Sequence, residues 1–286
     1  MRMEGREESE NVEDRRGMRV PGGRGTGIGC VGLIAVLVIS WLTGADPRQL
    51  LGLLGAVQQM SPQTQQVPAG QPRGDDPQAV FVSKVLKGTE DAWGQVFTRE
   101  GQRYEKPILV LFDGRVESAC GYTTAAVGPF YCPADRKVYL DLAFFRELAQ
   151  RFGAPGDFAQ AYVVAHEVGH HVQNLLGLSD RVTEMQQRAR SQEQANALSV
   201  RLELQADCFA GVYGHFDQQY LEPGDVEEGL RAASAIGDDM IQKQAQGYTA
   251  PESWTHGSSA MRVRWLKQGL QSGDPASCDT FKAPQL

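Results

Sequence analysis

The residues best suited to chemistry lie in one short segment, where His166, Glu167 and His170 form the pattern His-Glu-x-x-His. On a helix, residues four positions apart lie on one face, so both imidazoles can bind the same metal ion. Zinc is the metal typical of such a pair, and a neighbouring carboxylate can take a proton from a zinc-activated water. We therefore predict a catalytic zinc site with His166 and His170 as ligands and Glu167 as general base. The structural alternative is a pair of core histidines with local hydrogen bonds.

A catalytic zinc usually has a third protein ligand. A further histidine of the pattern His-Glu-x-x-His-x-x-Gly-x-x-His is excluded, because Gln173 and Leu176 occupy the required positions. A later helical segment offers Glu203, with Asp207 one turn further on and small residues on the same face. We predict Glu203 as the third ligand, and we expect Asp207 to accept a hydrogen bond from a ligand imidazole. The alternative is that this segment is a surface helix with ion pairs.

At these residues the chain resembles the Glu-zincin branch of zinc metallopeptidases, through His166-Glu167-x-x-His170 and Glu203-x-x-x-Asp207. More narrowly, it is similar to the bacterial putative neutral zinc metallopeptidases. The matching motifs include Gly114-Arg115-Val116, Ser118-Ala119-Cys120-Gly121, Gly128-Pro129-Phe130-Tyr131-Cys132-Pro133, Thr255-His256-Gly257-Ser258 and Arg262-Val263-Arg264-Trp265. The resemblance covers roughly residues 75–273. It implies a zincin-like fold and a peptidase, and it names no substrate.

One further histidine is a candidate for catalysis. His256 follows Trp254 and Thr255 in the last loop before a predicted helix. A hydrogen-bonding or cationic group opposite the zinc would stabilise the oxyanion of a tetrahedral intermediate, and we assign this role to His256. The alternative is a loop histidine that orders Ser258 and the start of the helix.

The N-terminal part of the chain predicts a membrane anchor. Residues 1–25 are charged and rich in glycine, so we expect a disordered cytoplasmic tail. Residues 26–45 carry no charge, and a helix of that length spans about 30 Å, close to the thickness of a bilayer core. Four arginines precede this stretch: Arg15, Arg16, Arg19 and Arg24. The positive-inside rule then predicts a single-pass anchor with an extracytoplasmic catalytic domain. A cleaved signal peptide is the alternative.

Composition limits the remaining possibilities. The chain has 286 residues and a net charge of -7, with both signs mixed, so no nucleic-acid surface is indicated. Outside the predicted anchor the cysteines are Cys120, Cys132, Cys208 and Cys278. An even number outside the cytoplasm suggests two disulfides, and we favour Cys120–Cys132 and Cys208–Cys278 among the three possible connectivities. Zinc binding by these thiols is the rival interpretation.

The rest of the chain predicts an α+β domain that is mainly helical. Residues 46–77 read as a juxtamembrane segment and linker, and residues 78–286 as the metallopeptidase domain with a small N-terminal sheet. Strands are expected at about 108–112, 116–126 and 137–142. Helices are expected at about 78–98, 143–152, 157–176, 179–190, 193–220, 224–246 and 258–271, with Asp157 as an N-cap. The strand containing Val138–Leu142 is a candidate for pairing with an extended peptide; otherwise it only packs the sheet.

The sequence thus predicts a membrane-anchored zinc metallopeptidase, an endopeptidase acting on peptide or protein substrates. Two other classes stay open. One is a non-enzymatic, membrane-anchored zinc protein that binds a partner. The other is a zinc hydrolase acting on a non-peptide amide such as a cell-wall component.

Overall fold

The structure is a computed structural model that describes residues 1–17 and 76–286. The described helices are α1 (Pro77–Arg99), α2 (Ala143–Gln150), α3 (Asp157–Leu175), α4 (Leu178–Gln187), α5 (Gln192–Phe216), α6 (Asp225–Ala235), α7 (Asp238–Gln246) and α8 (Ser259–Ser272). The described strands are β1 (Val12–Asp14), β2 (Ile108–Leu111), β3 (Arg115–Ser118), β4 (Gly121–Thr124), β5 (Phe130–Cys132) and β6 (Lys137–Leu140). The predicted mainly helical α+β architecture with a small sheet is confirmed.

Strand β2 is buried on both faces. The larger sheet has the order β1-β2-β6-β5, in which β1 and β6 run parallel to β2 and β5 runs antiparallel to β6. Leu109 and Leu111 of β2 join the main core with the helices. Val110 packs on the other face with Val116 of the β3–β4 hairpin. Burial on two faces explains why this strand is an uninterrupted apolar run.

Residues 1–17, which we predicted to be disordered, are part of the folded domain. β1 forms an edge of the sheet, and Val12 is 5% exposed within the main core. The prediction was wrong because the segment has too few apolar residues to build a core of its own. It adds instead to a core formed by residues 76–286. Its charged side chains find partners there, as Arg6 does with Asp217.

Helices α5 and α8 pack closely because of glycines at their contact. A Cβ on Gly269 would lie 1.9 Å from the carbonyl oxygen of Cys208, and one on Gly211 would lie 2.3 Å from that of Leu266. No other residue type fits these two positions without moving a helix. The contact fixes α5, which carries the predicted third ligand.

The predicted helix 224–246 is in fact two helices, α6 and α7. The chain bends at Gly237, where a Cβ would lie 2.4 Å from the backbone nitrogen of Ser259. The close approach of α8 therefore decides where α6 ends. The bend also places Asp238, the first residue of α7, against the loop that contains His256.

Both favoured disulfides are present. Cys120–Cys132 joins the turn between β3 and β4 to the end of β5, and Cys208–Cys278 ties the C-terminal tail to α5. The Cα separations, 5.8 and 5.6 Å, are ordinary for disulfides. The first bridge thus attaches a turn to β5, and the second attaches the C-terminal tail to the helix that carries Glu203.

The predicted membrane helix, residues 26–45, lies outside the described residues, as does most of the predicted linker. Within residues 1–17 and 76–286, no helix is both long enough and apolar enough to cross a membrane.

Candidate metal centre

Helix α3 carries the His-Glu-x-x-His motif through the main core. Its N-cap is Gly156 rather than the predicted Asp157, which is the first helical residue. The amide of Phe158 donates to the carboxylate of Glu228 in α6, at 3.3 Å. A Cβ on Gly156 would lie 2.1 Å from that carboxylate, so glycine leaves room for it. Glu228 therefore supplies the acceptor that we expected from Asp157.

Small residues bring α5 against α3 at the level of the motif. A Cβ on Gly169 would lie 3.0 Å from the carbonyl oxygen of Ala206. Gly169 precedes His170, and Ala206 lies between Glu203 and Asp207. The point of closest approach therefore lies where the two halves of the predicted site must meet.

Two imidazole nitrogens and one carboxylate from these helices converge on one point. His166 Nε2 lies 3.2 Å from His170 Nε2 and 3.2 Å from a carboxylate oxygen of Glu203. His170 Nε2 lies 3.5 Å from the other oxygen of Glu203. Ligand atoms arranged tetrahedrally at zinc–ligand distances of about 2.0–2.1 Å are themselves about 3.4 Å apart. The spacing of His166, His170 and Glu203 thus fits one zinc ion.

The remaining imidazole nitrogens fix which atoms can bind a metal. His166 Nδ1 lies 2.9 Å from Asp207 Oδ1, and His170 Nδ1 lies 2.9 Å from Gln173 Oε1. A carboxylate and an amide oxygen only accept, so both Nδ1 atoms carry hydrogen. In the neutral rings both Nε2 atoms then present lone pairs to each other and to Glu203. A cation placed between these acceptors would relieve their mutual repulsion.

The negative charges of the site raise the pKa values of both ligand histidines. Burial lowers the pKa of His166, but Asp207 and Glu203 outweigh it and raise this pKa to about 10. Burial also lowers the pKa of His170, but the charge of Glu203 outweighs it, so this pKa is raised as well. The two histidines in turn hold the pKa of Glu203 well below its usual range despite burial. A proton and a divalent cation would therefore compete for the same lone pairs.

Asp207 is fully buried and has three side-chain partners. Besides His166, it accepts a hydrogen bond of 2.6 Å from the hydroxyl of Tyr162. Arg262 of α8 donates to both of its oxygens at 2.9 Å, and also to Tyr162 at 3.0 Å. Burial raises the pKa of Asp207, but Arg262 and His166 outweigh it and lower this pKa to about 2. The carboxylate is therefore ionised at neutral pH and holds the His166 ring in place.

Three residues of this centre were missed as site residues from the sequence: Tyr162, Gln173 and Arg262. Tyr162 lies four positions before His166 and Gln173 three positions after His170, so helical spacing could have indicated both. Arg262 lies in a motif that carries the family resemblance, but nothing in the sequence indicated a place for it at the site. No local pattern links it to Asp207, which lies 55 residues away in sequence.

The metal centre opens into a cleft of about 680 Å³. Glu167 lines this cleft with the predicted ligands and is 9% exposed. Its carboxylate is thus accessible from the cleft but largely shielded from bulk solvent, as suits a group that exchanges protons with a bound water.

His256 lines the same cleft, and Asp238 orients it. His256 Nδ1 lies 3.2 Å from Asp238 Oδ1. The other Asp238 oxygen accepts hydrogen bonds from the backbone nitrogens of Thr255, His256 and Gly257. The hydrogen bond to Asp238 raises the pKa of His256, with burial opposing and Glu203 assisting. The fixed loop and the raised pKa favour a protonated imidazole at the cleft.

The prediction that the strand at Val138–Leu142 pairs with an extended substrate is wrong. This strand is β6, which is already paired with β2 on one side and β5 on the other. Among the strands that the structure describes, β5 is the last of this sheet, and its residues Phe130 and Tyr131 line the cleft. The strand edge beside the metal centre is therefore that of β5, which the sequence did not reveal as a strand.

Helix α3 also holds β5 directly. The hydroxyl of Tyr131 lies 3.1 Å from His171 Nδ1 and accepts a hydrogen bond of 3.0 Å from Asn174. His171 Nε2 lies 2.6 Å from the carbonyl oxygen of Glu105. The third histidine of the helix therefore connects the metal helix to the cleft wall and is not a ligand.

A His-Glu-x-x-His helix joined to a glutamate from a second helix defines a site of the Glu-zincin class. The chain belongs to the family described as putative neutral zinc metallopeptidase, which matches residues 1–281. It is 50% identical to the uncharacterized protein YpfJ of Escherichia coli (strain K12), over 98% of this chain and 99% of that protein. It is 48% identical to the uncharacterized protein Rv2575 of Mycobacterium tuberculosis, over 64% of this chain and 65% of that protein. No solved structure matches it.

Proposed function

We propose that this protein is a zinc-dependent endopeptidase with His166, His170 and Glu203 as metal ligands. The observation that carries the proposal is the convergence of these three donors, at tetrahedral spacing, beside the carboxylate of Glu167 in an open cleft. The family supports a metallopeptidase in general. The ligand set and the peptide substrate belong to the present proposal and go beyond the family.

The proposed chemistry divides between the residues of the cleft. A bound zinc ion would polarise the scissile carbonyl and lower the pKa of a water molecule. Glu167 takes a proton from the attacking water and delivers it to the leaving nitrogen. His256, held by Asp238, donates a hydrogen bond to the developing oxyanion. Asp207 and Gln173 keep the two imidazoles in the orientation that leaves Nε2 free for the metal.

The substrate proposal rests on the outer edge of β5, along which no strand of residues 1–17 or 76–286 is paired. An extended peptide can add to such an edge through backbone hydrogen bonds, which require neither chain end. Phe130 of β5 and Ile241 of α7 line the same cleft, so apolar side chains of the peptide have surface to contact. Internal cleavage of an extended chain is the mode of action that this arrangement supports.

The test compares the wild-type chain with Glu167→Gln and Glu193→Gln, measuring zinc content and cleavage of a peptide library. Glu193 is an exposed glutamate at the start of α5, outside the cleft, and serves as the matched control. We expect one zinc in all three proteins and a loss of cleavage only in Glu167→Gln. Full activity of Glu167→Gln would contradict the proposed mechanism.

Two other outcomes would move the assignment elsewhere. Zinc without peptide cleavage in the wild type would favour the hydrolase of a non-peptide amide, or the non-enzymatic partner protein. A wild-type chain that retains no zinc would overturn the ligand assignment itself.

We also propose that the protein is held at a membrane through residues 26–45, with its catalytic domain outside the cytoplasm. The uncharged stretch supports attachment, and the two disulfides support an oxidising compartment. Fractionation of cells expressing the full chain tests the attachment: recovery in the soluble fraction would contradict it.

A further inference from the structure

The first seventeen residues form one folded body with the catalytic domain. Val12, Glu13 and Asp14 pair in parallel with Leu109–Leu111 of β2. Beyond this ladder, Ser9 and Ser83 exchange two hydrogen bonds of 3.2 Å, one between backbone groups and one from the Ser83 hydroxyl. The segment is therefore bound through its backbone along several residues.

Buried charges lock this contact. Arg6 donates to both oxygens of Asp217 at 2.6 and 2.9 Å, and both side chains are 5% exposed. A Cβ on Gly88 would lie 2.2 Å from the Arg6 guanidinium, so α1 makes room for it. Ser9 and Asn11 donate to Glu90, which is 3% exposed, at 2.5 and 2.8 Å. Removing the segment would take these partners from buried carboxylates, which is strongly unfavourable.

The segment ends where the main part of the domain begins. The guanidinium of Arg16 bonds to Asp76, which caps the N-terminus of α1. The backbone nitrogen of Gly17 donates to Asp113 at 2.8 Å. The two ends of the stretch 18–75 therefore leave the domain close together, because Arg16 beside one end is bonded to Asp76 at the other.

We infer that residues 1–17 and 76–286 lie on the same side of the membrane, so that the chain between them crosses the bilayer an even number of times or not at all. The uncharged stretch 25–45 has the length for one crossing. The next apolar stretch, residues 50–60, would span only about 16 Å as a helix, too little for a return. Under the membrane attachment proposed above, on which this step rests, the protein would be held from one face of the bilayer.

This inference replaces the single-pass orientation predicted from charge. Two of the four arginines that gave the positive-inside signal are used by the domain: Arg15 pairs with Glu13, and Arg16 with Asp14 and Asp76. Charges neutralised in a folded body do not report which side of a membrane they occupy. The inference is independent of the peptidase activity.

Cysteine labelling of the full chain tests the inference. In a Cys30→Ser background, single variants Glu8→Cys and Glu252→Cys place a thiol at exposed positions of the N-terminal segment and of the domain. Intact spheroplasts are treated with a membrane-impermeant maleimide, and lysed spheroplasts serve as the reference. We expect the two positions to behave alike, both labelled or both protected until lysis. Labelling of only one in intact spheroplasts would overturn the inference.

A zero-length crosslink tests the docked arrangement in the same membranes. Lys137 Nζ lies 2.7 Å from a carboxylate oxygen of Glu13, so a carbodiimide should join the two side chains. Glu13→Gln should abolish this product. The pair Glu90–Lys106, at 3.0 Å within the domain, is the positive control. Detection of the Glu13–Lys137 peptide supports the inference. Its absence, while the Glu90–Lys106 crosslink forms, would refute it.

Discussion

At the scale of single residues, the two ligand histidines have unequal partners. His166 donates to the ionised carboxylate of Asp207, whereas His170 donates to the neutral amide oxygen of Gln173. A carboxylate makes an imidazole more basic and binds its ring more firmly than an amide does. We therefore expect His166 to be the more strongly oriented of the two ligands.

Replacing Asp207 by asparagine should weaken zinc binding by about 10–100-fold, because His166 loses its charged partner. Competition with a chromophoric chelator would measure the affinity. Asp217→Asn is the matched control, since Asp217 is also a buried aspartate paired with an arginine, Arg6, away from the metal. Both variants should lose stability, but only the first should lose zinc affinity. Equal affinities in the two variants would contradict the assigned role of Asp207.

The pH dependence of cleavage should report on His256. The hydrogen bond that His256 donates to Asp238 raises the pKa of His256, so its protonated form persists to higher pH than in an ordinary histidine. Activity that needs this form is complete below the raised pKa and is lost as pH rises through it. Asp238→Asn should move the alkaline limb of kcat/KM to lower pH.

The control for this experiment is Asp239→Asn. Asp239 accepts hydrogen bonds from Ser259 at the same helix start but does not contact His256. Its replacement should leave the alkaline limb in place. An unmoved limb in Asp238→Asn would remove His256 from the mechanism.

At the scale of elements, the metal centre depends on how closely α3 and α5 approach. The neighbour of Gly169 is backbone of Ala206, which cannot move without moving α5. Gly169→Ala should therefore destabilise the fold by about 1–3 kcal/mol and weaken zinc binding. Gly94→Ala in α1, where a Cβ meets nothing within 4 Å, should instead stabilise by about 0.5–1 kcal/mol. Urea unfolding and zinc titration of both variants measure the difference; equal behaviour would show that the contact tolerates a methyl group.

The cleft wall also depends on contacts between elements. β5 lies at the edge of the described sheet, and the Cys120–Cys132 disulfide joins its end to the β3–β4 turn. The hydroxyl of Tyr131 joins the strand to α3. The strand is only three residues long. Its position is therefore determined by neighbours on both sides rather than by its own strand propensity.

At the scale of the whole molecule, the two disulfides close loops of very different length. Cys208–Cys278 spans 70 residues and Cys120–Cys132 spans 12. By the chain-entropy relation, the longer loop should contribute about 1.5 kcal/mol more to the free energy of unfolding. Denaturation of the double variants Cys208→Ala/Cys278→Ala and Cys120→Ala/Cys132→Ala would compare them. A greater loss from the shorter loop would show that local packing outweighs loop entropy.

The sequence by itself determined the features that depend on local spacing. The repeat of a helix places His166 and His170 on one face, and the same periodicity marks α1, α3, α5 and α8 to within a few residues. The even number of cysteines suggested two bridges, and the favoured pairs are the ones present. The helical features can be read because residues one turn apart in sequence are neighbours in space, whereas the 70-residue Cys208–Cys278 bridge was favoured only as the pair left after Cys120–Cys132.

Only the tertiary structure decided the features that join distant segments. Arg262 reaches Asp207 because glycines let α8 pack against α5. Strand β6 is paired on both sides, so among the described strands the edge beside the cleft is that of β5. Residues 1–17 fold because partners for their charges lie in the rest of the domain. In each case the stabilising partner lies far away in sequence, and local composition or periodicity carries no information about it.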